Sequence, residues 1–172
     1  MIPQIKKILY ATDLSPNAGF VLRYAINSAL KHDARIVILH VLEKDSATVS
    51  TLAETYLTLE QLRELAEDKY NHAKQKLNQR IQALCLKELG KNPESMEIFE
   101  AIEVTEGFPA DQILRKADEH GCDTIVMGTH GKGFLSHSYF GSTAKRVLRR
   151  SRKPMFIIPL PDGETDVTFH DD

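Results

Sequence analysis

The sequence predicts an α/β fold: a single domain built on an open, parallel five-stranded sheet with helices on both faces, Rossmann-like in architecture. Three observations predict it. Short apolar, β-branched runs alternate along the chain with amphipathic helical segments. Two of the runs, around Ile38 and Ile125, are apolar at successive positions, as in strands buried on both faces of a parallel sheet. The third is size: 172 residues, 42% hydrophobic and 27% charged, suit one globular domain with a substantial core.

The first strand is "KKILYAT". In "DLSPNAG", which follows, Ser15 reads as the N-cap of the first helix and Pro16 as its first residue. Leu22, Ala25, Ile26, Ala29 and Leu30 then line one helical face. "ARIVILHVL" is the second strand, and the polar "EKDSATVSTLAETY" after it reads as a mobile excursion. A long helix is expected from about Thr58 to Leu89. Leu62, Ala66, Tyr70, Ala73, Leu77, Ile81 and Leu84 recur there at three- and four-residue steps, a stripe suited to packing on the sheet, and Gly90 and Pro93 end it. "MEIFEAIEV" is the third strand, and "PADQILRKADEHG" is a helix opening on Pro109 and stopping at Gly121. "DTIVMG" is the fourth strand. The last helix starts at Gly141 or Ser142 and ends before Lys153-Pro154, and "KPMFIIP" closes the sheet. With right-handed crossovers, residues 1–160 form the domain. The acidic, turn-rich stretch 161–172 is expected to be disordered.

Composition removes several classes of function. A net charge of -2 leaves no footprint for nucleic acid. The start "MIPQIKKILYATDLS" lacks the apolar core of a signal peptide, and charged residues interrupt every long apolar run, so no membrane association is expected. Cys85 and Cys122 read as reduced thiols of a cytoplasmic protein.

Ligands of open α/β sheets bind beyond the carboxyl ends of strands, where strand order reverses. The first strand leaves Thr12 and Asp13 there, the second His40 and Val41, and the fourth Met127 and Gly128. Gly128 opens the stretch "GTHGKGFLSHSYFG". If the first and fourth strands are neighbours, Asp13 and this loop face each other across one crevice. Gly128, Gly131 and Gly133 can adopt positive φ and bring backbone N–H groups up to a ligand, forming an anion nest. The loop ends at Gly141-Ser142-Thr143, a helix start whose dipole and unpaired N–H groups favour phosphate. Lys132, and His130 when protonated, add positive charge. Asp13 suits ribose hydroxyls or an adenine edge. Together the parts imply a nucleotide lying across the sheet end.

Plainer readings stand beside these. Asp13 is also a good turn or capping residue, and a glycine-rich loop is often only a connection. His130 with His137, or Cys122 with His120, fits no zinc-ligand spacing. "KRVLRRSRK" suits a solvated helix face, and Tyr139 and Phe140 suit packing.

The pattern Gly128-x-x-Gly131, nine residues, then Gly141-Ser142 resembles the ATP-binding signature of the universal stress protein family. The resemblance extends over nearly the whole chain, through "KKILYATDLS", "ILHVL", "GFPADQIL" and "RKPMFIIP". It implies an adenine nucleotide alpha hydrolase-like fold holding ATP or another adenine nucleotide, with Mg²⁺ or Mn²⁺ on the phosphates. By the resemblance, Asp13 contacts the nucleoside end, Val41 packs near adenine, and Thr12 and Met127 line the pocket. Gly128, His130, Gly131, Gly141, Ser142 and Thr143 would wrap ribose and phosphates. The family pairs into homodimers through the last strand, here "PMFIIP", itself an apolar edge that invites pairing. The function implied is a nucleotide-dependent stress-response or signalling module with a protein partner of unknown identity. The alternative is an enzyme of related fold, with slow ATP hydrolysis assisted by His130, or with nucleotidyl transfer. Its relatives carry a Ser-Gly-Gly loop or a His-x-Gly-His pair after the first strand, where this chain has "ATDLSPNAG". Flavin binding needs a longer chain.

Overall fold

The computed structural model describes residues 2–15, 17–43, 56–88, 96–129 and 141–160. Along the chain run β1 (Lys7–Thr12), α1 (Ala18–His32), β2 (Arg35–Leu42), α2 (Leu59–Glu88), β3 (Phe99–Glu106), α3 (Pro109–Glu119), β4 (Thr124–Gly128), α4 (Ser142–Arg150) and β5 (Met155–Ile158). All strand pairs are parallel, in the order β3-β2-β1-β4-β5. The chain starts mid-sheet, builds outward to β3, then returns to the other side of β1. Strand order therefore reverses between β1 and β4, and a crevice is expected beyond their carboxyl ends.

Alternation along each strand divides the core into two layers. Ile8, Tyr10, Ile36, Ile38 and Val126 pack with Val21, Leu22, Ala25, Leu77 and Ile81 of α1 and α2. Leu9, Val37, Leu39, Ile125 and Met127 pack on the opposite face with Ile113, Ala117 and Val147 of α3 and α4. The successive apolar positions around Ile38 and Ile125 thus serve both layers, as their pattern predicts.

Local chemistry sets the helix ends. Thr58 and Gln61 form a reciprocal capping box: the Gln61 N–H donates to Thr58 Oγ1 (3.2 Å) and the Thr58 N–H to Gln61 Oε1 (2.9 Å). Pro109 occupies the first turn of α3, and Gly121 turns the chain out of it at φ 61°.

Four expectations are corrected. Helix α1 begins at Ala18 behind Asn17, not at Ser15, because Ser15 is held in the preceding turn by Asp13. Leu30, placed by its spacing on the buried face of α1, is 58% exposed. Strand β3 starts at Phe99 and runs on to Glu106. In α2 only Ala73, Leu77, Ile81 and Leu84 of the apolar stripe are buried; Ala66 is exposed and Tyr70 is 38% exposed. Length explains this: 30 helical residues span about 45 Å, whereas the eight-residue strands beneath span about 26 Å. The N-terminal half of α2 overhangs the sheet.

Pro16, the excursion from 44 to 55, Gly90, Pro93 and the stretch 161–172 lie outside the described residues. No helix among the described residues is long and apolar enough to cross a membrane.

Candidate functional site

A cleft lies at the switch point. Tyr10, Thr12, Asp13, Asn17, Gly128 and Leu160 are among its lining residues, and it encloses about 200 Å³ of empty space, part of it open to solvent. β1 and β4 pair side by side, so Asp13 and Gly128 stand at the ends of adjacent strands. The first and fourth strands are thus neighbours, as a shared crevice requires.

The first lip is the turn between β1 and α1. Asp13 Oδ1 accepts a hydrogen bond from the Ser15 N–H (3.0 Å), and Thr12 Oγ1 accepts one from the Leu14 N–H (3.2 Å). Leu14 has φ 60°, a left-handed conformation rare for a bulky residue. Its side chain is buried in the α1/α2 layer. Two residues from other elements complete the turn. His40 Nδ1 lies 2.8 Å from the Thr12 carbonyl oxygen, and Arg80 Nη1 of α2 donates to the Leu14 carbonyl (2.8 Å). Behind the lip, the buried Tyr10 hydroxyl donates to the Ala18 carbonyl (2.7 Å), and burial raises this phenol well above its ordinary pKa.

The second lip is where β4 leads toward α4. The Thr129 N–H donates to the Ile158 carbonyl (3.0 Å), and the Thr129 carbonyl accepts from the Gly141 N–H (2.7 Å). Thr129 and Gly141, the described residues that flank 130–140, are thus joined in a hydrogen-bonded neck. Gly141 is extended (φ -64°, ψ 159°), and α4 begins at Ser142. The Ser142, Thr143 and Ala144 N–H groups precede the first intrahelical donor, Lys145, which bonds to the Gly141 carbonyl (3.0 Å). The neck thus sets the donor-rich start of α4 beside the end of β4.

Of the residues singled out by sequence, Thr12, Asp13 and Gly128 line the cleft. Gly141, Ser142 and Thr143 follow the neck. Val41 lies near the carboxyl end of β2 and packs, with the buried Met127, on the α3/α4 layer. His130 and Gly131, with Lys132 and Gly133, lie outside the described residues. Positive φ occurs at Gly107 and Gly121 among the described glycines, not at Gly128, which continues β4 in register with Ile158 of β5.

Sequence reasoning passed over Arg80 and Thr129, and noted His40 only for its place at the end of the second strand. Arg80 carried a signal: the spacing 73–77–80–84 puts a charge on the buried stripe of α2. His40 and Thr129, both buried, carried only their places at strand ends.

Neither Cys122 nor His120 is arranged for chemistry. Cys122 is buried in the α3/α4 layer, and burial pushes its thiol up to about 11. His120 Nε2 lies 2.9 Å from Glu103 Oε1. No group of three or more His, Cys, Asp or Glu side chains that could hold a metal ion occurs among the described residues.

The model of the universal stress protein family matches residues 4–159. Universal stress protein MJ0531 of Methanocaldococcus jannaschii is 31% identical over 159 residues, covering 92% of this chain and 85% of that protein. MJ0577 of the same organism is 27% identical over 153 residues, covering 89% and 94%. The solved structure of MJ0577 shares the fold with a TM-score of 0.69 at 22% identity, covering 94% of this chain and 100% of that one. A universal stress protein solved in complex with cAMP shares it with a TM-score of 0.55 at 19% identity, covering 91% and 98%.

Proposed function

We propose, from the premise that this chain belongs to the universal stress protein family, that its cleft holds an adenine nucleotide, ATP first, and that the protein acts as a nucleotide-dependent stress-response module. One observation carries the reading: the strand-order reversal puts Asp13 and Gly128 at the ends of adjacent strands, lining one cleft.

The two lips suit different parts of such a ligand. Asp13 is an acceptor for ribose hydroxyls or an adenine edge. Thr12 and Met127 belong to the same nucleoside end, and Val41 offers backbone groups for the base at the neighbouring strand end. Phosphates belong to the other lip, on Gly128, His130, Gly131, Gly141, Ser142 and Thr143, where a helix start supplies donors and positive potential. Mg²⁺ or Mn²⁺ would arrive on the phosphates, with the Ser142 and Thr143 hydroxyls as the protein oxygens at hand. A universal stress protein of this fold was solved with cAMP, also an adenosine phosphate.

The proposed assembly is a homodimer through β5. This strand ends the sheet, and Phe156 on it is 43% exposed. An apolar edge left open by the described strands is satisfied by a second copy.

Calorimetric titration of the nucleotide-stripped protein with ATP and Mg²⁺ tests the reading. The expected Kd is about 1 μM or tighter. Gly131→Val, whose side chain blocks approach to backbone N–H groups, should abolish it. No binding by the wild-type protein would overturn the assignment.

A further inference from the structure

A buried charge lies behind the first lip. Arg80 is 7% exposed, on the α2 stripe between Leu77 and Leu84. A leucine or methionine would fill that place without the desolvation cost of a guanidinium, so packing alone does not account for it. What the guanidinium does is specific. It crosses 66 positions of sequence to donate Nη1 to the Leu14 carbonyl, in the turn that carries Asp13. Leu14 holds its left-handed conformation with its side chain in the core. Asp13 Oδ1 is bound to the next N–H, that of Ser15, so the carboxylate's direction follows the Leu14-Ser15 backbone.

We propose that Arg80 is a positioning residue of the cleft: by fixing the Leu14 carbonyl it holds the Asp13 carboxylate in the geometry that receives the nucleoside end of the ligand. This rests on the adenine-nucleotide reading above and extends it to a residue outside the cleft lining. Electrostatics points the same way. Burial lowers the Arg80 guanidinium's pKa from its ordinary value while the Asp13 carboxylate acts to raise it, so the two charges act on each other. Arginine suits the role because its rigid fork can hold one partner with one nitrogen and keep the others for a second. Lysine keeps the charge and loses the fork.

The effect should be confined to the nucleoside. Calorimetric titrations with Mg²⁺-ATP and with adenosine are run on wild type, Arg80→Lys, Arg80→Met, Asp13→Asn and the Asp13→Asn/Arg80→Met double variant, each well below its melting midpoint. Arg80→Met should weaken ATP and adenosine by the same factor, about tenfold, the order expected when one charged hydrogen bond no longer holds the turn. Arg80→Lys should fall between it and wild type. In the Asp13→Asn background, Arg80→Met should cost less than about twofold more, because the two residues act through one geometry. A merely structural role would lower the melting midpoint and leave both affinities unchanged. The proposal is overturned if Arg80→Met binds both probes like wild type, or if its loss adds in full to that of Asp13→Asn. If Arg80→Met does not fold, Arg80→Lys carries the same comparison: equal weakening for both probes supports the proposal, and unchanged binding overturns it. Failure of the wild type to bind either probe is a different result, and removes the nucleotide reading itself.

Discussion

The two lips of the cleft are built by opposite means. The β1–α1 lip contains no glycine between Asp13 and Asn17, yet it holds a left-handed leucine. It is braced from a distance, by His40 from the neighbouring strand and Arg80 from α2. The described part of the second lip is held by main-chain hydrogen bonds at its ends. Its backbone closes on itself at Thr129–Gly141 and pairs with the end of β5. The first lip therefore has its shape fixed by tertiary contacts before any ligand arrives, as suits a group that must point one way. In the second, the described residues fix where the stretch 130–140 begins and ends. Under the proposed function the first lip would receive a nucleoside, which needs direction, and the second a polyphosphate, which needs N–H groups that can approach it. Such a division predicts unequal responses to substitution.

The largest response belongs to Leu14. Leu14→Ala removes a buried side chain and should cost about 2–4 kcal/mol. Leu14→Gly removes slightly more, and in most positions glycine is the worse of the two. Here φ is 60°, where glycine is unstrained and alanine retains a penalty of about 1–2 kcal/mol. Chemical denaturation should therefore find Leu14→Gly at least as stable as Leu14→Ala. If alanine is clearly better, the turn is not held in the left-handed state and the contrast between the lips collapses.

Thr129 should respond less. Thr129→Val removes Oγ1, which accepts a long 3.4 Å hydrogen bond from the Leu160 N–H, but leaves both backbone bonds of the neck. The expected loss is below about 1 kcal/mol by the same denaturation assay. A loss as large as that at Leu14 would mean that the second lip, too, depends on its side chains.

The difference between the lips also marks what could be read from sequence. The strands announced themselves through apolar runs, and the second lip through glycine spacing, both local signals. Asp13 was legible as a carboxylate at a strand end. Its bracing was not, because Arg80 is 67 positions away and sits in a helix whose polar residues outnumber its apolar ones. The same helix misled in another way: its stripe is continuous from Leu62 to Leu84, and periodicity says which face is apolar, not how far the sheet extends beneath it. Ser15 looked like an N-cap because serine commonly is one. The Asp13 side chain, bound to its N–H, placed it in the turn instead.

The smallest effect should come from a cluster that touches neither lip, which makes it the control. Glu103 of β3, at the end of the strand order, meets Lys116 Nζ (2.9 Å) and His120 Nε2 (2.9 Å) from α3 and the residue after it. Burial pushes the Glu103 carboxyl up, but the hydrogen bonds from Lys116 and His120 outweigh it and hold the group below its ordinary pKa. A carboxylate with a depressed folded pKa contributes stability above its unfolded value, about 4.3, and loses it as pH falls through the lower folded value. Lys116 is raised, chiefly by its hydrogen bond to Glu103, so its contribution is complete below about 10.4 and fades only above that. Between those limits Glu103→Gln should cost about 1 kcal/mol or less, since the pair is partly solvated. That difference from wild type should shrink as the solution is acidified below pH 4, where wild type loses the same charge. Nucleotide affinity at neutral pH should not change. If Glu103→Gln weakened ATP as much as a change at the first lip does, the cleft would be coupled to the far edge of the sheet, and neither lip could be treated as a separate device.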